Sequence, residues 1–80
     1  MEQDFKEIAR AVVVEVLELE PGVVGDGDDF FDDLGGDSLQ KLSIIDAFER
    51  RIGIRFDESE GHLMNTVDSM ARAASEHAKD

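Results

Sequence analysis

Two long segments, residues 5–19 and 38–52, carry apolar residues at three- and four-residue steps, and no pair of alternating segments is available to build a sheet. In the first segment Phe5, Ile8, Val12, Val16 and Leu19 define one face, widened by Ala9, Val13 and Leu17. That is the period of an amphipathic helix. Asp4 is placed to cap its start, with Glu7 three residues on as a capping-box partner. The β-branched run Val12-Val13-Val14 lowers helix propensity and makes a strand the rival reading, but the longer period outweighs it. Pro21-Gly22 is expected to end the helix.

The second segment has the stronger start signal. Asp37 can accept hydrogen bonds from the backbone N–H groups of a first turn, and Gln40 can reach back to complete a capping box. Ser38 is then the first helical residue. Leu42, Ile45, Phe48 and Ile52 form the expected buried stripe, with Ile44 and Ala47 beside it. Gly53 is a natural C-terminal stop, and Arg50 and Arg51 suit the negative end of the macrodipole.

Between the two lies a long loop, Pro21 to Asp37, with Gly22, Gly25, Gly27, Gly35 and Gly36 and acids at Asp26, Asp28, Asp29, Asp32 and Asp33. Val23, Val24, Phe30, Phe31 and Leu34 argue against disorder. At least one phenylalanine is expected to plug the core and pin the loop across it, so that the loop positions the start of the second helix. Ile54-Arg55-Phe56 alternates, but without a partner strand it reads as an extended connector. A short helical turn around Glu58 to Met64, broken by Gly61, is expected next. Thr66 then caps a last helix, Val67 to about Ala78, with Val67, Met70, Ala71, Ala74 and Ala78 on its apolar side. The expectation is one all-α domain over residues 1–80: a small bundle of three main helices plus one short helix.

Eighty residues without cysteine leave neither disulfides nor thiolate metal ligands to staple the fold. Helix packing must therefore supply the stability. The net charge of -12 opposes binding to nucleic acid or to an anionic membrane surface. A basic protein surface is the natural complement. The N-terminus has no basic region and no signal-length apolar run, and nothing approaches the roughly 20 residues of a spanning helix. A cytoplasmic monomer is expected.

Chemistry converges on Leu34-Gly35-Gly36-Asp37-Ser38-Leu39. Gly36-Asp37-Ser38-Leu39 spells a serine-esterase signature, but such a site needs a base and an oxyanion hole. Only His62 and His77 could serve as base, and neither has an acid three residues before it. Gln40 also breaks the G-x-S-x-G elbow. Metal binding fares no better. An EF-hand register from Asp26 fails at Phe30 and Phe31, and one from Asp28 fails at Phe30 and Asp33. Phosphate-loop and dinucleotide signatures are absent. What remains is attachment. Asp37 takes the cap role and frees Ser38 to project outward, the glycines permit close approach of another protein, and Leu39 is expected to be exposed beside the site.

Leu34-Gly35-Gly36-Asp37-Ser38-Leu39, preceded by Asp29-Phe30-Phe31-Asp32-Asp33 and followed by an amphipathic helix and an Ile-x-Phe connector, closely resembles the phosphopantetheine-dependent carrier proteins. The resemblance spans essentially the whole chain and implies an acyl-carrier-like bundle. It implies that Ser38 receives 4′-phosphopantetheine from coenzyme A through a phosphopantetheinyl transferase, with Gly36, Asp37 and Leu39 flanking it for recognition. The arm's thiol would hold an acyl or aminoacyl group as a thioester, and catalysis would belong to partner enzymes. Those would be an adenylation or acyl-loading enzyme, then condensing or tailoring enzymes, docking on Leu39, Lys41, Leu42 and Asp46.

The second helix carries Lys41, Arg50 and Arg51, with Asp46 and Glu49 as its only acids. Carriers of fatty-acid synthesis often have a strongly acidic helix there. The Gly-Gly-Asp-Ser-Leu form looks more like carriers of nonribosomal-peptide or polyketide pathways. Met1 and the absence of linkers suggest a discrete protein. The alternatives are an acyl carrier of fatty-acid synthesis and a non-covalent acidic adaptor that binds through Asp26 to Asp33.

Overall fold

The computed structural model describes residues 4–78. Four α-helices follow one another: α1 (Phe5–Leu17), α2 (Ser38–Ile52), α3 (Glu58–Leu63) and α4 (Val67–Ala78), with a 3-10 turn at Pro21–Val23. No strand occurs among the described residues, and Ile54 to Phe56 is an irregular connector. The chain is thus an all-helical bundle with a long first loop. No helix among the described residues is long and apolar enough to cross a membrane.

Local chemistry sets the helix ends. Asp4 accepts from the Glu7 N–H and starts α1. That helix ends two residues before Leu19, because Glu18 takes the left-handed conformation (φ 54°) and its N–H closes on the Val14 carbonyl. Pro21 and Gly22 therefore open the 3-10 turn instead of ending the helix. α2 has the complete Asp37–Gln40 capping box and a left-handed Gly53 at its end. A second complete box, Asp57 with Glu60, starts α3. Gly61 lies inside that short helix and does not break it. A β-carbon on Gly61 would stand 3.6 Å from Ile45 Cδ1, in ordinary contact with α2. Thr66 starts α4, its hydroxyl accepting from the Ser69 N–H while Ser69 Oγ accepts from the Thr66 N–H.

α1 packs against both α2 and α4. The core comprises Ala9, Val12 and Val13 of α1, Ile44, Phe48 and Ile52 of α2, Val67, Met70 and Ala74 of α4, and Val24, Phe30 and Met64 from the connections. Each large buried side chain contributes roughly 1.5–3 kcal/mol by leaving water. The α2 seam is therefore Ile44, Phe48 and Ile52, one turn apart. Leu42 is not part of it: that side chain is 64% exposed, and Ile45 is only half-buried. On α4, Ala71 is half-buried and Ala78 exposed, so neither belongs to the buried seam.

Phe30 is the plug that the loop composition calls for, 1% exposed. Its N–H donates to the Asn65 carbonyl (2.9 Å), and its carbonyl accepts from Gly36 (2.7 Å). One residue thus pins the loop to the α3–α4 connection and to the start of α2. A second anchor lies at Asp26, which pairs with Arg10 and Lys6 of α1 while its carbonyl accepts from the Asp68 N–H of α4.

Candidate functional site

The turn that presents Ser38 is built from loop acids acting on loop backbone. Asp29 Oδ1 accepts from the N–H groups of Phe31 (2.8 Å) and Asp32 (3.0 Å), and Asp33 Oδ2 accepts from the Asp29 N–H (2.8 Å). The Asp29 carbonyl accepts from Asp33 and Leu34. The hydrogen bond from Asp32 and then that from Phe31 hold the Asp29 carboxyl below the usual aspartate range. Asp33 is exposed and Asp26 and Asp29 half-buried; Asp29 and Asp33 fold the turn and Asp26 is ion-paired. An adaptor reading that needs them free for a partner loses much of its basis.

The two glycines act for different reasons. Gly35 has φ +72°, in the left-handed region that side chains other than glycine rarely adopt. Gly36 has no such requirement, but a β-carbon there would stand 2.9 Å from the Phe30 carbonyl oxygen. After them Asp37 caps α2, leaving Ser38 exposed as the first helical residue. No hydrogen bond engages the Ser38 hydroxyl among the described residues. His77 is committed elsewhere, 2.7 Å from Glu60, with its ring perpendicular to that of Phe56 at 5.2 Å between centroids. His62 is exposed and lines the same groove as Ser38, without a hydrogen bond between them.

That groove, about 740 Å³, runs between α2 and α3. It brings Ser38, Lys41, Leu42 and Asp46 to one surface. Leu39, 75% exposed, stands outside it. Asp46 is exposed and pairs with Arg50. Lys41 differs from the other expected docking residues in that its ammonium is engaged within the protein. Nζ lies 2.6 Å from Asn65 Oδ1, 3.4 Å from the His62 carbonyl and 5.7 Å from the centre of the Phe31 ring. Burial pushes the Lys41 ammonium below the ordinary lysine range, and Asp29 pulls in the other direction. Asn65 is the residue that sequence reasoning missed. It binds Lys41 and Phe30, and its own amide donates to the His62 carbonyl (3.1 Å). The contact with Lys41 spans 24 positions, and no local pattern encodes it.

Residues 7–74 match the family described as "Phosphopantetheine attachment site". The chain belongs to the phosphopantetheine carrier family. It is 36% identical over 76 residues to the acyl carrier protein of Rhodopseudomonas palustris, covering 95% of this chain and 96% of that one. It is 34% identical over 74 residues to the acyl carrier protein of Zymomonas mobilis, covering 92% and 95%. The acyl carrier protein of a Bradyrhizobium species is 34% identical over 76 residues, covering 95% and 96%.

As a member of that family the chain is a non-catalytic carrier whose cofactor is covalent 4′-phosphopantetheine. It works with a phosphopantetheinyl transferase and with acyl-handling enzymes. The site suits the group. An unengaged hydroxyl stands at the N-terminus of a 15-residue helix, where a phosphodiester is favoured by the macrodipole. Asp37, of like charge and adjacent, opposes it in part. When bound, the cofactor supplies a thiol that holds an acyl group as a thioester.

Proposed function

We propose that Ser38 is the attachment residue and that the chain, as a single domain, carries acyl or aminoacyl intermediates between enzymes of nonribosomal-peptide or polyketide biosynthesis. One observation carries the attachment reading. Within a chain matched from residue 7 to 74 by the attachment-site family, Ser38 is an exposed hydroxyl whose neighbours Gly35, Gly36 and Asp37 are each committed to holding the turn. Gly36, Asp37 and Leu39 frame it for a transferase.

Leu39 and Leu42, exposed near Ser38, are the apolar docking residues, with Asp46 supplying polarity at the rim. A loading enzyme, adenylating or acyl-transferring, acts first, and condensing or tailoring enzymes follow. The relatives' shared name supports acyl cargo and suits a carrier of fatty-acid synthesis equally well. The composition of α2 supports the first pathway class: Lys41, Arg50 and Arg51 stand against two acids, Asp46 and Glu49.

Co-expression with candidate loading enzymes, followed by intact mass, tests the pathway. An aminoacyl or a short, polar acyl group on the arm is expected. A chain that accepts only long saturated acyl groups would overturn the pathway reading.

A further inference from the structure

Lys41 lies three residues after Ser38 on α2, so both share a helix face and both line the groove. Its ammonium bridges α2 to the end of α3 and the α3–α4 connection through the His62 carbonyl and Asn65 Oδ1. Phe31 of the loop covers it from a third side. All three partners are neutral, and no carboxylate lies within ion-pairing distance of Lys41 among the described residues. The rest of the wall includes Ile45 and Phe56, both half-buried, together with four acids: Asp46 paired with Arg50, Glu49 accepting from the Phe56 N–H, Asp57 capping α3, and exposed Glu58. Ile45 and Phe56 are the surface a hydrocarbon would contact there, and Lys41 is the cation that stands between them and Ser38.

We propose that Lys41 bars saturated hydrocarbon cargo from the space between α2 and α3, so that this carrier holds short or polar acyl groups on a solvent-exposed arm. A methylene chain entering from Ser38 must pass the ammonium. In doing so it strips the remaining water from a charge whose acceptors are already shared, and it supplies no acceptor in return. Displacing the side chain instead breaks the bridge to Asn65 and exposes the Phe31 ring. A short or polar group incurs neither cost, because it stays in water at the end of the arm. The inference rests on the carrier reading of Ser38 and narrows the cargo that reading allows.

The test loads wild type, Lys41→Met, Lys41→Arg and Asn65→Ala chains with acetyl or octanoyl arms, using a transferase that accepts acylated coenzyme A. Intact mass confirms a single addition, and NMR then compares the Ile45, Phe56 and Gly61 signals with those of the chain bearing an arm without cargo. In wild type and Lys41→Arg, neither cargo is expected to move these signals. In Lys41→Met, octanoyl moves them and raises the melting temperature, whereas acetyl does not. Asn65→Ala, which frees the ammonium to swing out of the groove, responds to octanoyl in the same direction. Octanoyl shifts of equal size in wild type and Lys41→Met overturn the proposal, as does a lack of octanoyl response in both Lys41→Met and Asn65→Ala. Failure of wild type to gain mass at Ser38 overturns the carrier reading itself.

Discussion

The Gly36 N–H donates to the Phe30 carbonyl at 2.7 Å, and a β-carbon on Gly36 would stand 2.9 Å from that same oxygen. The plug residue of the loop and the residue two before Ser38 are thus joined as closely as backbone allows. Core packing around Phe30 is thereby transmitted to the serine.

Gly36→Ala should force the Phe30 carbonyl and the start of α2 apart. Overpacking of this kind costs about 1–3 kcal/mol, and urea unfolding measures it. Gly22→Ala is the control: a β-carbon there meets nothing within 4 Å, and a change within about 0.5 kcal/mol is expected. Equal effects at the two positions would contradict the geometry.

The adjacent phenylalanines should part company in the same assay. Phe30→Ala empties a site that is 1% exposed and should cost about 3–5 kcal/mol. Phe31 is 37% exposed, and its face contacts Lys41. Its removal should cost well under half as much as that of Phe30. A larger loss at Phe31 would mean that the loop is anchored by the other ring.

α3 should be sensitive to acid. Asp57 caps it, and the Glu60 N–H, followed by the Ser59 hydroxyl, holds the Asp57 carboxyl below the usual aspartate range. The ionised group binds these donors only in the folded chain. Its stabilisation is therefore complete above the unfolded value near about pH 4 and is lost as pH falls through the lower folded value. Wild type should melt higher than Asp57→Ala at pH 7, with the gap closing below about pH 4. A gap that persists unchanged to pH 2 would show that the cap does not act through its charge.

Much of the fold is legible in the sequence because the deciding interactions are local. The helices, the Asp37–Gln40 box, the Gly53 stop and the outward placement of Ser38 all lie within a turn of the residues that specify them. The apolar period of the first segment overshoots the end of α1 by two residues because Glu18, a residue with no left-handed preference, takes that conformation. Leu42 fits the expected stripe because three- and four-residue steps from Phe48 fit two faces, and only packing against α1 selects Ile44. Gly61 reads as a breaker in isolation; the Asp57–Glu60 box over-rides it. Lys41 reads as a docking charge on its own helix, and its engagement within the protein depends on Asn65 and on the α3 carbonyl it meets. Those groups come from a distant part of the chain, and no periodicity announces them.

Attachment at Ser38 is tested by the intact mass of the chain after incubation with coenzyme A and a broad-specificity phosphopantetheinyl transferase. One arm is expected on wild type, mapped by peptide digestion to Ser38, and none on Ser38→Ala. A wild-type chain that gains nothing, or a Ser38→Ala chain that still gains the arm, would contradict it.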